Sequence, residues 1–213
     1  VNRANNQGLT PLDIAKSKGH SSIVALLEEH IYPLHAAAKT DDVDAMARFL
    51  DGGAEVDRAD KDGRTPLYLA CLKGHVDAAR LLLNKGAEVD RANQNGATPL
   101  YVACQNSHVA AARLLLENGA EVDRAKENGW TPLLIACWKG HVDAVRLLLR
   151  RGADINRANI EGTTPLAIAK RQQHYTVVAL LKEFLPLPLA PPRLGQWQQS
   201  EEAAAASLPR PPP

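Results

Sequence analysis

Proline returns at Pro33, Pro66, Pro99, Pro132 and Pro165, 33 residues apart each time, and whole segments repeat around it. Three consecutive blocks read RTPLYLACLKGHVDAARLLLNKGAEVDRANQNG (64–96), ATPLYVACQNSHVAAARLLLENGAEVDRAKENG (97–129) and WTPLLIACWKGHVDAVRLLLRRGADINRANIEG (130–162). A fixed period of this length marks stacked supersecondary units, each too small to bury its own apolar face. Such a chain has no single globular core, and the reading it favours is a surface rather than a catalytic cleft.

One block shows how a unit builds itself. Thr65-Pro66 is a helix start: the hydroxyl caps free N–H groups, and Pro fits the first position, where its missing N–H costs nothing. LYLACLKG follows for about two turns and ends at Gly74, a left-handed cap. His75 opens a second helix, in which Val76, Ala79, Leu82 and Leu83 form one apolar stripe. Gly86 stops it, and AEVDRANQNG makes a polar projecting loop before the next Thr-Pro.

The string G-x-T-P-L-x-x-A-x-x-x-G-H-x-x-x-x-x-L-L-L-x-x-G-A-x-(V/I)-(D/N) resembles the ankyrin repeat, continuously over about 33–184 and partially over 1–30. The resemblance implies an all-α repeat solenoid of stacked antiparallel helix pairs with projecting β-hairpin-like loops. It also implies protein binding through a concave face and the loop tips. One departure concerns the residue after Thr-Pro-Leu, commonly His in that family. Here it is Asp13, Tyr68, Tyr101, Leu134 and Ala167, with His only at His35, which puts the usual polar network between loops in question.

The units divide near 33–63, 64–96, 97–129, 130–162 and 163–184. Cys71, Cys104 and Cys137 share a column that holds Lys170 in the last unit and Lys16 in the first, partial one. A Lys where neighbours carry a small buried thiol reads as a capping repeat facing water. Residues 1–30 align without gaps on 155–184 with 17 identities, so they resemble a C-terminal cap too. Pro11 precedes Pro33 by only 22 residues, so the projecting loop between them is missing. Two arrangements satisfy this, an earlier array ending near His30 or one continuous stack with a shortened loop. The start VNRANNQG has no initiator Met, lies inside a repeat and reads as a fragment or an incomplete gene model; it lacks the regions of a secretory signal. Residues 185–213 hold eight of 14 prolines and read as a disordered, Pro/Ala-rich tail. Within it Pro188, Pro191 and Arg193 resemble a weak ligand motif for an SH3-type domain.

Net charge is +1, which argues against nucleic acid as a partner, and no apolar run approaches the ~20 residues that span a bilayer. Equivalent cysteines of adjacent units lie one helix-packing distance apart, roughly 8–10 Å, beyond the ~7 Å Cα reach of a disulfide; free structural thiols are expected, in a cytoplasmic or nuclear protein. The column His20, His75, His108, His141 and His174 cannot share a metal at that spacing, and each His is expected to bond within its own inter-helix turn. Glu55/Asp57, Glu88/Asp90, Glu121/Asp123 and Asp154 recur beside Arg58, Arg91, Arg124 and Arg157 and read as solvated charge ladders rather than acid–base pairs. No nucleophile, phosphate-loop or metal-protease motif occurs, so neither an enzyme nor a cofactor is expected.

Function then falls on positions where the copies differ. In the implied groove and loop-tip columns these are Arg64, Tyr68, Leu72, Lys73, Tyr101, Gln105, Asn106, Glu127, Asn128, Trp130, Leu134, Trp138 and Lys139. Trp130 and Trp138 are the only aromatics of the array in their columns, and with Tyr101 and Tyr68 they are expected to centre a protein-binding patch. The alternative is that these rings merely cover neighbouring apolar surface. The expected function is a protein–protein interaction module for a partner protein that the sequence does not identify. A substrate-recruiting subunit of an enzyme assembly is the second reading.

Overall fold

The computed structural model describes residues 4–185; the tail calls at Pro188, Pro191 and Arg193 lie outside them. Twelve α-helices and no strand occur among the described residues. They come in pairs: α1 (Pro11–Ser17) with α2 (Ser21–Ile31), α3 (Pro33–Thr40) with α4 (Val43–Asp51), α5 (Pro66–Lys73) with α6 (Val76–Asn84), α7 (Pro99–Gln105) with α8 (Val109–Glu117), α9 (Pro132–Lys139) with α10 (Val142–Arg150), and α11 (Pro165–Arg171) with α12 (Tyr175–Phe184).

Helices α5, α7, α9 and α11 start as their sequence dictates. The hydroxyls of Thr65, Thr98, Thr131 and Thr164 accept from the backbone N–H of Tyr68, Tyr101, Leu134 and Ala167 at 3.2, 3.1, 3.2 and 3.3 Å. A cap of this kind stabilises by about 1 kcal/mol. At the other end Gly74 and Gly140 adopt left-handed backbone, φ 78° and 75°. Here glycine is required twice over, because a Cβ on Gly74 would lie 2.5 Å from His108 Nδ1, and one on Gly140 2.7 Å from His174 Nδ1.

From α3 onward, inner helices α3, α5, α7, α9 and α11 pack in file on one another, and outer helices α4 to α12 do the same. The inner file is the more closely packed of the two. Close approach is possible because the contact columns are small. Ala70, Ala103 and Ala136 and the three cysteines have no exposed surface, and Leu67, Leu100 and Leu133 fill the layers between them. The cysteines are free thiols. Burial pushes those of Cys104 and Cys137 up to about 12, and raises that of Cys71 as well.

The stack is also sewn by side chains, and here two sequence expectations are corrected. The histidines do not bond within their own turns. His75 Nε2–H donates to the carbonyl of Lys39 (2.9 Å), His108 to Leu72 (3.2 Å), His141 to Gln105 (3.1 Å) and His174 to Trp138 (3.0 Å), each reaching back to the preceding unit. A carbonyl only accepts, so Nε2 carries the proton. Nor are Asp57, Asp90 and Asp123 rungs of a solvated ladder. One carboxylate oxygen of each accepts the N–H of Glu88, Glu121 and Asp154 in the next loop, at 3.0, 2.9 and 2.9 Å, while the other is buried without a partner. The flanking Arg91 and Arg124 do pair with Glu88 and Glu121 on the exposed side.

The loops run out and back as tight turns. Adjacent loops share single backbone bonds, such as Gln94 N–H to Asp62 O (3.1 Å) and Ile160 N–H to Asn128 O (3.3 Å), too few to make a strand. At the N-terminal end only Tyr32 separates α2 from α3, so no loop projects there. The outer helix α2 meets the inner helix α3, and Glu28 bridges Lys16 and Lys39. A cavity of about 400 Å³ is left at this junction, lined by Leu12, Tyr32, His35 and Phe49 among others.

Candidate functional site

The candidate face expected from the sequence comprises the last turns of the inner helices and the loop tips. Most of the array obeys the repeat at these places; the junction of the 97–129 and 130–162 units does not. The residue that anchors each loop is Asp60, Asn93 or Asn159, whose Oδ1 accepts two backbone N–H groups: Asp62 and Arg64 at 2.9 Å each, Asn95 and Ala97 at 3.0 and 2.9 Å, Glu161 and Thr163 at 3.1 and 2.9 Å. In the loop before α9 that anchor is replaced by Lys126, and Trp130 N–H turns to Asn128 Oδ1 instead (3.3 Å). Lys126 Nζ lies 5.3 Å from the Tyr101 ring centroid.

Beside this altered loop the two tryptophans meet. Their rings are 5.7 Å apart and inclined by 80°, an edge-to-face contact. Trp130 is half-buried against the core, whereas Trp138 is 36% exposed. Lys139 Nζ sits 4.5 Å over the Trp138 ring, within cation–π range. The Trp138 carbonyl is held by His174, so the backbone that presents the indole is fixed from the following unit.

The remaining candidates are placed less uniformly. Leu134 has no exposed surface and drops out of the groove, because its side chain lies in the core. Tyr68 and Tyr101 are only 7% and 6% exposed, so the expected four-ring patch reduces to the two tryptophans. Instead, the Tyr68 hydroxyl accepts from Asn93 Nδ2 (3.3 Å), a loop-to-helix bond in place of the one that a His would make. His35 Nε2–H makes the corresponding bond to the Arg64 carbonyl (3.1 Å), and its burial keeps the ring below the ordinary His range. Lys73, Asn106, Glu127, Asn128 and Lys139 are exposed, and Leu72 and Gln105 half-buried.

Arg64 is tied down by Asp60 (2.8 Å) and Asp62 (2.7 Å). Burial by itself would raise the Asp60 carboxyl; the Arg64 side chain and the N–H groups of Arg64 and Asp62 outweigh it and hold the group below the usual range. Asp90 moves the other way, because burial dominates and the single N–H of Glu121 only partly offsets it.

Ile160 was legible in the sequence as a loop-tip position, whereas Lys126 escaped the sequence reading. Ile160, on the loop tip beside Asn128, is 75% exposed. Lys126 was visible as the one basic residue in a column of Asp and Asn, a signal that comparing the blocks could have given. Among the described residues, no group of three or more His, Cys, Asp and Glu is gathered to hold a metal, and no helix is long and apolar enough to cross a membrane.

The family model for "Ankyrin repeats (3 copies)" matches the chain over residues 27–93, 87–159 and 124–185. No curated protein matches it. Ankyrin repeats are in general protein–protein interaction modules, typically without catalysis of their own. The stacked pairs, the Thr-Pro caps and three family matches running together from 27 to 185 make this chain a member of the ankyrin-repeat family.

Proposed function

We propose that this chain binds a partner protein in the groove formed by α5, α7, α9 and α11, with Trp130 and Trp138 at the centre and Ile160, Glu127 and Asn128 on the rim. The observation that carries the reading is the coincidence of three departures from the repeat at one place, where the 97–129 unit meets the 130–162 unit. The loop anchor is lost at Lys126, and two indoles stand edge to face in columns without other aromatics. An indole presented from a fixed backbone buries much area at small entropic cost, which is why Trp dominates interface hot spots. The reading assigns no catalysis to the chain and suits a cytoplasmic or nuclear setting, where unpaired thiols persist.

The test is cross-linking capture with the wild type and the W130A/W138A variant in parallel, followed by titration of the captured partner. The double variant is expected to lose about 2 kcal/mol or more of binding, the scale of a hot spot, with its helical circular dichroism unchanged. Equal affinity of the two proteins rejects the reading.

A further inference from the structure

The net charge of +1 conceals an uneven distribution: the outer helices α4 to α12 balance their acids with Arg48, Arg80, Arg113, Arg146, Arg150 and Lys182, whereas the inner helices are cationic. The inner helices α3, α5, α7, α9 and α11 carry Lys39, Lys73, Lys139, Lys170 and Arg171 and not a single Asp or Glu. The acids of the array lie on the outer helices, for instance Asp44, Asp77, Glu117 and Asp143, or in the loops. Of the five cations only Lys39 has a carboxylate partner among the described residues, Glu28 at 3.9 Å. Lys73, Lys139, Lys170 and Arg171 are exposed. Lys139 lies over the Trp138 ring, and Arg171 occupies Trp138's own column one unit along.

We infer that the groove takes an acidic peptide segment of the partner, in which a large apolar side chain seats against Trp138 and Trp130 and flanking Asp or Glu side chains meet Lys139, Arg171 and Lys73. This rests on the reading of the groove as the binding face and adds the chemistry of its occupant. An apolar anchor fits because Lys139 lies over one side of the exposed Trp138 ring and Trp130 meets it edge to face, which leaves apolar indole area open to solvent. Acidic flanks are required because a partner with basic flanks would bring like charges together on a floor that has no anion to offer. A nucleic acid would also find cations and rings here. However, Asp62, Glu127 and Glu161 stand in the loops beside these helices and oppose a strand with a phosphate at every residue, whereas a short peptide with one or two carboxylates at Lys139 and Arg171 need not reach them.

The full chain is panned against a library of random displayed peptides, with W130A/W138A as the parallel bait, and selected peptides are titrated by tryptophan fluorescence. Enrichment of Asp and Glu around a large apolar residue, lost with the tryptophan variant, is the expected result. The K139Q/R171Q variant should then bind the best peptide about three- to tenfold more weakly, as two exposed ion pairs warrant, and added salt should narrow that gap. Peptides that need the tryptophans but show no acidic preference overturn this inference and leave the binding face standing. If no selected peptide needs the tryptophans, both fall. A single-stranded oligouridylate that quenches Trp138 at lower concentration than the best peptide overturns the inference in favour of nucleic acid.

Discussion

The N-terminal pair α1–α2 and the central pairs α5–α6 through α9–α10 are written in nearly the same alphabet, yet they end in different physical states. In the centre, Leu67, Leu100 and Leu133 are wholly buried. In the N-terminal pair Leu9, Ile14, Ile23 and Leu26 stay exposed, Leu26 by 67%. Both have a Thr-Pro helix start, and Thr10 with Asp13 even forms a reciprocal capping box that the central units lack. The difference is the neighbour. A central unit has a like pair on each side, whereas α2 meets α3 across a junction without a loop and with a cavity in it. Local signals therefore make the helices, and stacking supplies the burial that keeps them.

That contrast can be tested from both ends. Leu100→Ala or Leu133→Ala should cost about 3 kcal/mol in urea denaturation, as for other fully buried leucines, while Leu26→Ala should stay within about 0.5 kcal/mol of wild type. Comparable losses would mean that the N-terminal pair is buried as deeply as the centre. Next in size are the turns between helices. Gly74→Ala or Gly140→Ala should destabilise by about 2 kcal/mol from left-handed backbone strain together with displacement of the following His. Gly119→Ala has the same sign of φ but open space around it, and should cost about 1 kcal/mol. If all three are equal, the ring under the turn matters little.

The smallest effect separates two loops of the array. Asp60 is held below its ordinary range, so its contribution to stability is present above the unfolded-state value and disappears as acid titrates the folded group. Asp90 is raised, so between its unfolded and folded values the folded state binds the extra proton, and this stabilisation fades as pH rises through the folded value. Carboxyl carbon shifts followed by NMR should show Asp60 titrating below Asp90; coincident midpoints would contradict the assignment of causes.

Much of this was legible in one dimension because it is local or periodic. Thr-Pro, Gly74 and the Leu stripe each act within a few residues, and the cysteine column announced its burial by its recurrence. What was misread crosses from one unit to the next. The histidines bond 36 residues back and Asp57, Asp90 and Asp123 reach 31 residues forward, distances set by stacking geometry rather than by any local rule. The tyrosines were misplaced for a related reason. Their column faces the adjoining loop, and Asn93 and Lys126 of that loop, most of a repeat away in sequence, meet the two rings. Of the candidate surface, Trp130 and Trp138 came from their singularity in the sequence, while their mutual geometry and the place of Lys139 over Trp138 did not.

The backward reach of the histidines has a consequence for how such a chain grows. Each 33-residue block holds both halves of its own fastening: a ring that grips the block before it and a turn carbonyl for the ring after it. Copying a whole block into the interior therefore leaves no half unmatched, whereas losing a single residue from a loop sets two fastenings out of step. Duplication in whole modules is the change that this architecture absorbs most easily.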